Sequence, residues 1–175
     1  MSDHNFEFEY PAQAFLRALT TLSTLLRKAE EHVREHRIEP SALLTARLFP
    51  DMFPLTKQVQ TLCDTARRVV SRLAGIQPPS VEDSETTFDE LQARISETAK
   101  FVSAHAPAAL TGAITRSIEF KMQGTRTLPA SQYLARFAIP NLYFHLATAY
   151  NIMRHNGVTL GKMDFLGNLT SPLGD

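Results

Sequence analysis

Four segments of this chain read as long amphipathic helices, and no stretch alternates strand with helix, which restricts the fold to a helical bundle. In the first segment Phe15, Leu19, Leu22, Leu26, Ala29 and Val33 share one face. This predicts a helix beginning near Tyr10-Pro11 and closed by Pro40. Its far end, from Glu30 to Arg37, is charged almost all round and projects into water. Residues 41–49 read as a short helix, and Pro50 to Pro54 as a turn in which Asp51 suits the N-cap of the next helix. That helix, 54–74, turns Leu55, Val59, Leu62, Ala66, Val69 and Leu73 inward and stops at Gly75. A surface loop follows over 76–86. Thr87-Phe88-Asp89-Glu90 then spells a capping box for the third helix. Leu91, Ile95, Thr98 and Val102 mark its inner face, with Pro107 beyond its end. Ile118, Phe120 and Met122 alternate with charged residues, and Gln123-Gly124 turns the chain into Thr125-Arg126-Thr127, a small β-hairpin. Pro129 opens the last helical region, Pro140 interrupts it and Gly157 ends it. The expected fold is all-α: a four-helix bundle with a short extra helix and a small β-hairpin before the last helix.

At 175 residues the chain fits one domain over 1–175, with its core in about residues 10–167. Eighteen basic residues balance eighteen acidic ones, so no global field favours a polyanion. Arg67-Arg68 with Arg72 is the sole basic ridge and reads as a solvated helix face, so no nucleic-acid partner is expected. The single cysteine, Cys63, excludes an intramolecular disulfide and lies in an apolar helical pattern, where a small buried thiol is the ordinary reading. The N-terminus lacks the basic start and apolar run of a secretory signal. No apolar stretch approaches the roughly 20 residues of a membrane helix, so no membrane partner and a cytoplasmic location are expected.

Chemistry concentrates in residues 140–164. Asn141, His145, Thr148, Ile152 and His155 line one side of the last helix, with Tyr143, Ala147 and Tyr150 beside them. Pro140 cannot donate to the carbonyl of Arg136, which leaves backbone polarity next to an Asn–His pair. His145 is the candidate proton carrier because an imidazole titrates near neutrality. Asn141 would orient it or hold a substrate carbonyl, and Asp51 would supply charge. Gln58, Tyr150 and His155 are candidate ligand contacts, although His155 in the last turn also complements the helix dipole. His32-Val33-Arg34-Glu35-His36 has the letters of a metalloprotease motif but sits at the charged end of the first helix, so it reads as two solvated histidines. His4 and His105 sit near ends or loops.

Several spaced segments also carry a resemblance. These are Arg47-Leu-Phe-Pro-Asp-Met-Phe-Pro-Leu55 with Gln58-Val59 and Cys63-Asp64, Phe137-Ala-Ile-Pro-Asn-Leu-Tyr-Phe-His145, Ala149-Tyr150, and Arg154-His-Asn-Gly-Val-Thr-Leu-Gly-Lys-Met-Asp-Phe-Leu-Gly167. Together, from about Tyr10 to Gly167, they resemble an uncharacterised, domain-of-unknown-function branch of the DinB/YfiT-like superfamily. The resemblance implies a four-helix bundle with a long crossover connection. Better-known members bind a divalent metal through three histidines, one on the second helix and two as His-x-x-x-His on a later one, and some activate a low-molecular-weight thiol. Here the first position of that pair is Asn141, and 54–74 contains no His. Asp51 or Gln58 could substitute only if the helix entry points inward. A carboxamide and one imidazole suit zinc or nickel poorly, so no metal and no other cofactor are expected.

Three functions follow as expectations. The first is a small-molecule pocket protein, a metal-independent acid–base enzyme of isomerase, cyclase or transferase type using His145. The second is a non-catalytic binding module or structural homodimer, and the third a degenerate DinB-like metal-dependent thiol transferase.

Overall fold

The structure is a computed structural model that describes the backbone of residues 6–113 and 116–167 and the side chains of 12–106 and 116–167; His4 lies outside the described residues. The main helices are α1 (Phe6–Glu35), α3 (Leu55–Ala74), α4 (Phe88–Ala113) and α6 (Ile139–His155). Shorter elements are α2 (Pro40–Leu44), the strands β1 (Ser117–Lys121) and β2 (Thr125–Pro129), α5 (Ala130–Tyr133) and α7 (Lys162–Leu166).

Side-chain pairs between helices set their directions. Gln92 and Ser23 bond α4 to α1, while Val33 and Phe88 meet at one end, so these helices are antiparallel. His145 meets Gln58 and Asn141 meets Thr65, so α6 is antiparallel to α3. Between α3 and α4 the order is parallel: the 76–86 segment crosses back along the bundle, pairing Lys57 with Asp83 and Gln60 with Glu85 on the way. Around the bundle the neighbours run α1, α4, α3, α6 and back to α1, an up-down-down-up arrangement with α1 diagonal to α3. Phe15, Leu19, Leu22, Leu55, Leu62, Leu91, Leu142 and Ile152, drawn from all four helices, are fully buried in one core.

The capping box forms as expected: Glu90 N–H donates to Thr87 Oγ1 at 3.2 Å, and Glu90 Oε2 accepts from the N–H of Thr86 and Thr87. Gly75 ends α3 with φ of 72°, and Cys63 is fully buried. Several boundaries differ. The first helix begins at Phe6, and α2 stops at Leu44 because Leu55 N–H bonds back to Ala46 O across an irregular loop. Asp51 does not cap α3; Pro54 occupies that position without a side-chain bond. Pro107 lies inside α4, not beyond it, and His105 is likewise helical, its Nδ1 2.8 Å from Phe101 O. Arg67 is buried and Arg72 half-buried, so only Arg68 of the basic ridge is exposed.

The hairpin pairs Ile118 with Leu128 and Phe120 with Arg126. Its Phe120 packs at a tilt against Tyr133 and Phe137, at the end of the bundle away from His145. Ahead of Pro140 the chain makes a π-turn over Leu134–Ala138, in which Ile139 N–H reaches Leu134 O. The wider turn places the proline in the first turn of α6, where no donor is required. After Gly157 a strap buries Val158 and Leu160, and α7 closes on α1 through Lys28–Asp164 at 2.6 Å. Among the described residues no helix is long and apolar enough to cross a membrane.

Candidate functional site

His145 lies on the face of α6 that meets the first turns of α3, and the residue opposite it is Gln58. Gln58 Nε2 donates to the carbonyl of Phe53 at 3.1 Å, a group that can only accept. The amide oxygen must therefore face His145, whose Nδ1 stands 2.7 Å from Gln58 Oε1. An amide oxygen cannot donate, so Nδ1 carries the proton and Nε2 keeps a lone pair. Among the described residues Nε2 makes no hydrogen bond, and His145 is 6% exposed. Burial lowers the imidazole pKa below 6.5, which keeps the ring neutral at physiological pH.

The remaining candidates divide. Asn141, one turn before His145, donates to Thr65 Oγ1 at 2.9 Å and does not orient His145. That part falls to Gln58, a neutral residue inside an amphipathic helix whose only signal in the sequence is its place beside Val59 on the edge of the buried face. Asp51 is exposed in the loop before α3, with no bond to His145. Tyr150 packs edge-on against Phe165, and His155 is exposed at the end of α6. Phe144 meets the His145 ring edge-on with centroids 5.3 Å apart and is 56% exposed; Phe53 and Phe49, in the loop before α3, are 49% and 64% exposed. A separate open groove of about 510 Å³, lined by Glu30, Val33, Glu39 and Phe88, lies between α1 and the start of α4 and does not include His145.

A second polar cluster, between α3 and α4, is structural. Arg94 is buried and bonds Asp64, Asp83 and Glu85 at 2.8–2.9 Å, and it donates to Glu82 O, pinning the crossover to the bundle. Burial alone would raise the Glu85 pKa, but hydrogen bonds from Arg94 and Gln60 hold it below the usual range. Beside them burial pushes the Cys63 thiol up to about 11, which removes it as a nucleophile at neutral pH.

The model for the Domain of unknown function (DUF1993) matches residues 8–166. The chain belongs to this family. A crystal structure of a DinB family member protein from Shewanella denitrificans is 36% identical, covers 97% of this chain and 98% of its own, and superposes with a TM-score of 0.86. No curated protein matches. The DUF1993 bundle with its crossover is thus a DinB-like fold, as the sequence resemblance implied. The superfamily's three-histidine metal does not fit this DUF1993 site. The second long helix carries no His, Gln58 on it is engaged with His145 and Phe53, and Asn141 is engaged with Thr65. Among the described residues no group of three His, Cys, Asp or Glu side chains is arranged to hold a metal ion.

Proposed function

We propose that this DUF1993 protein binds a small organic molecule against His145 and removes a proton from it, with Nε2 as the general base and without a metal. The hydrogen-bond chain Phe53–Gln58–His145 carries this reading. It selects the tautomer whose second nitrogen, Nε2, is basic and holds the ring in one orientation, two properties a general base needs before substrate arrives. Base-initiated isomerisation, cyclisation and transfer share such a first step. A cytoplasmic location agrees with the single, buried thiol.

The test is to incubate the purified protein with a metabolite extract containing a chelator and to follow it by mass spectrometry. Species converted by the wild type and left unchanged by a folded His145→Gln variant support the reading. Turnover retained by that variant, or abolished by chelation, overturns it. The exposed Phe49, Phe53 and Phe144 favour a second reading, in which this face joins two copies in a homodimer. Sedimentation at rising concentration decides it: a Phe53→Asp variant would remain monomeric where the wild type pairs.

A further inference from the structure

We propose that His32 and His36 form a binding site for a late transition-metal ion, copper(II) or nickel(II), at the C-terminal end of α1, independent of His145. The two residues are four apart, so one face of the helix carries both rings, whose centroids are 4.3 Å apart with 35° between the planes. An ion held by one nitrogen of each ring at about 2.0–2.1 Å lies about 3.2 Å from each centroid. Two such ligands at a right angle have centroids about 4.5 Å apart, and two at the tetrahedral angle about 5.2 Å. The observed separation matches the right angle, the geometry of square-planar or tetragonal copper(II) and nickel(II) sites, whereas zinc(II) takes the tetrahedral one.

The ring nitrogens are suited to the task. His36 Nδ1 stands 2.9 Å from the carbonyl oxygen of His32, which only accepts, so Nδ1 carries the proton and Nε2 keeps its lone pair. An N–H given to a backbone carbonyl is the bond that orients metal-ligating imidazoles. Among the described residues no hydrogen bond occupies either ring nitrogen of His32. Gly157, just past the end of α6, brings no side chain over that ring; a Cβ there would stand 3.5 Å from His32 Nε2. Position also favours a cation. His32 lies in the last turn of a 30-residue helix, where unpaired carbonyls gather partial negative charge. Arg34, two residues from each histidine, belongs to another side of the helix and pairs with Glu31. Among the described residues no third His, Cys, Asp or Glu completes the set, so two imidazoles hold the ion and its other positions are left to water or a small ligand.

Isothermal titration of tag-free, full-length protein tests the site, with His4→Ala throughout so that this imidazole does not compete. Copper(II), nickel(II) and zinc(II) chlorides are the probes. One ion per chain is expected, with copper bound most tightly and nickel ahead of zinc. His32→Gln and His36→Gln, checked to melt as the parent does in EDTA, should each weaken copper binding about tenfold or more, because one ligand remains. The electron paramagnetic resonance spectrum of the parent's copper(II) complex should show splitting from two nitrogen ligands, a readout that needs no variant at the pair. Zinc bound more tightly than nickel, copper affinity unchanged in either variant, or splitting from fewer than two nitrogens overturns the proposal.

Discussion

Gln58 acts on His145 through two hydrogen bonds, and removing it exposes both. In Gln58→Leu the Nδ1–H and the Phe53 carbonyl lose their partner in a buried setting. We expect a loss of about 1–3 kcal/mol in urea unfolding, with the tautomer preference of His145 relaxed. The imidazole also makes stability depend on pH. Its folded pKa lies below the unfolded value near 6.5, so the unfolded chain binds the extra proton. The contribution is whole above 6.5, declines as pH falls below it, and is gone once pH passes below the folded value. Urea midpoints of wild type and His145→Gln compared at about pH 7.5 and about pH 5.5 should show the steeper acid loss in the wild type. His145 was legible in the sequence because an imidazole on an apolar helix face is conspicuous. Gln58 was legible only as a candidate ligand contact; its pairing with His145 was not, because a lone carboxamide has no motif and its partner is 87 residues away.

At the scale of the element, Arg94 makes more bonds to the crossover than Lys57 or Gln60 does. Arg94→Met would leave Asp64, Asp83 and Glu85 without their shared buried cation, a change of about 3–5 kcal/mol. Limited proteolysis should then cut within 76–86 before the helices. Gly75 is a second such point. A Cβ there would stand 2.7 Å from Arg116 Nη1, on backbone at φ of 72°, so Gly75→Ala should cost about 1–2 kcal/mol in thermal unfolding. Local signals predicted elements well where the side chain acts on its own helix, as Thr87 and Glu90 do. They failed where burial comes from the rest of the bundle: Arg67 looks solvated as part of a basic ridge, but it is buried. Pro107 looks like a stop, yet α4 continues through it to Ala113.

At the scale of the molecule, the bundle was legible from apolar periodicity and its crossover from family resemblance. The order of helices around the core was not, since periodicity says which face is buried and never against what. That order has a kinetic consequence. The first two long helices, α1 and α3, lie across a diagonal, and every adjacent pair of long helices except α3 and α4 is far apart in sequence. Even α3 and α4, parallel and joined by the crossover, cannot zip from a tight turn. A chain so arranged meets loop-closure entropy before its contacts form, and should fold more slowly than an up-and-down bundle of equal length. The Arg94 cluster joins only after the crossover has docked, so in stopped-flow experiments Arg94→Met should mainly accelerate unfolding and leave refolding nearly unchanged. The ion cluster then governs how long the folded state lasts more than how quickly it is reached.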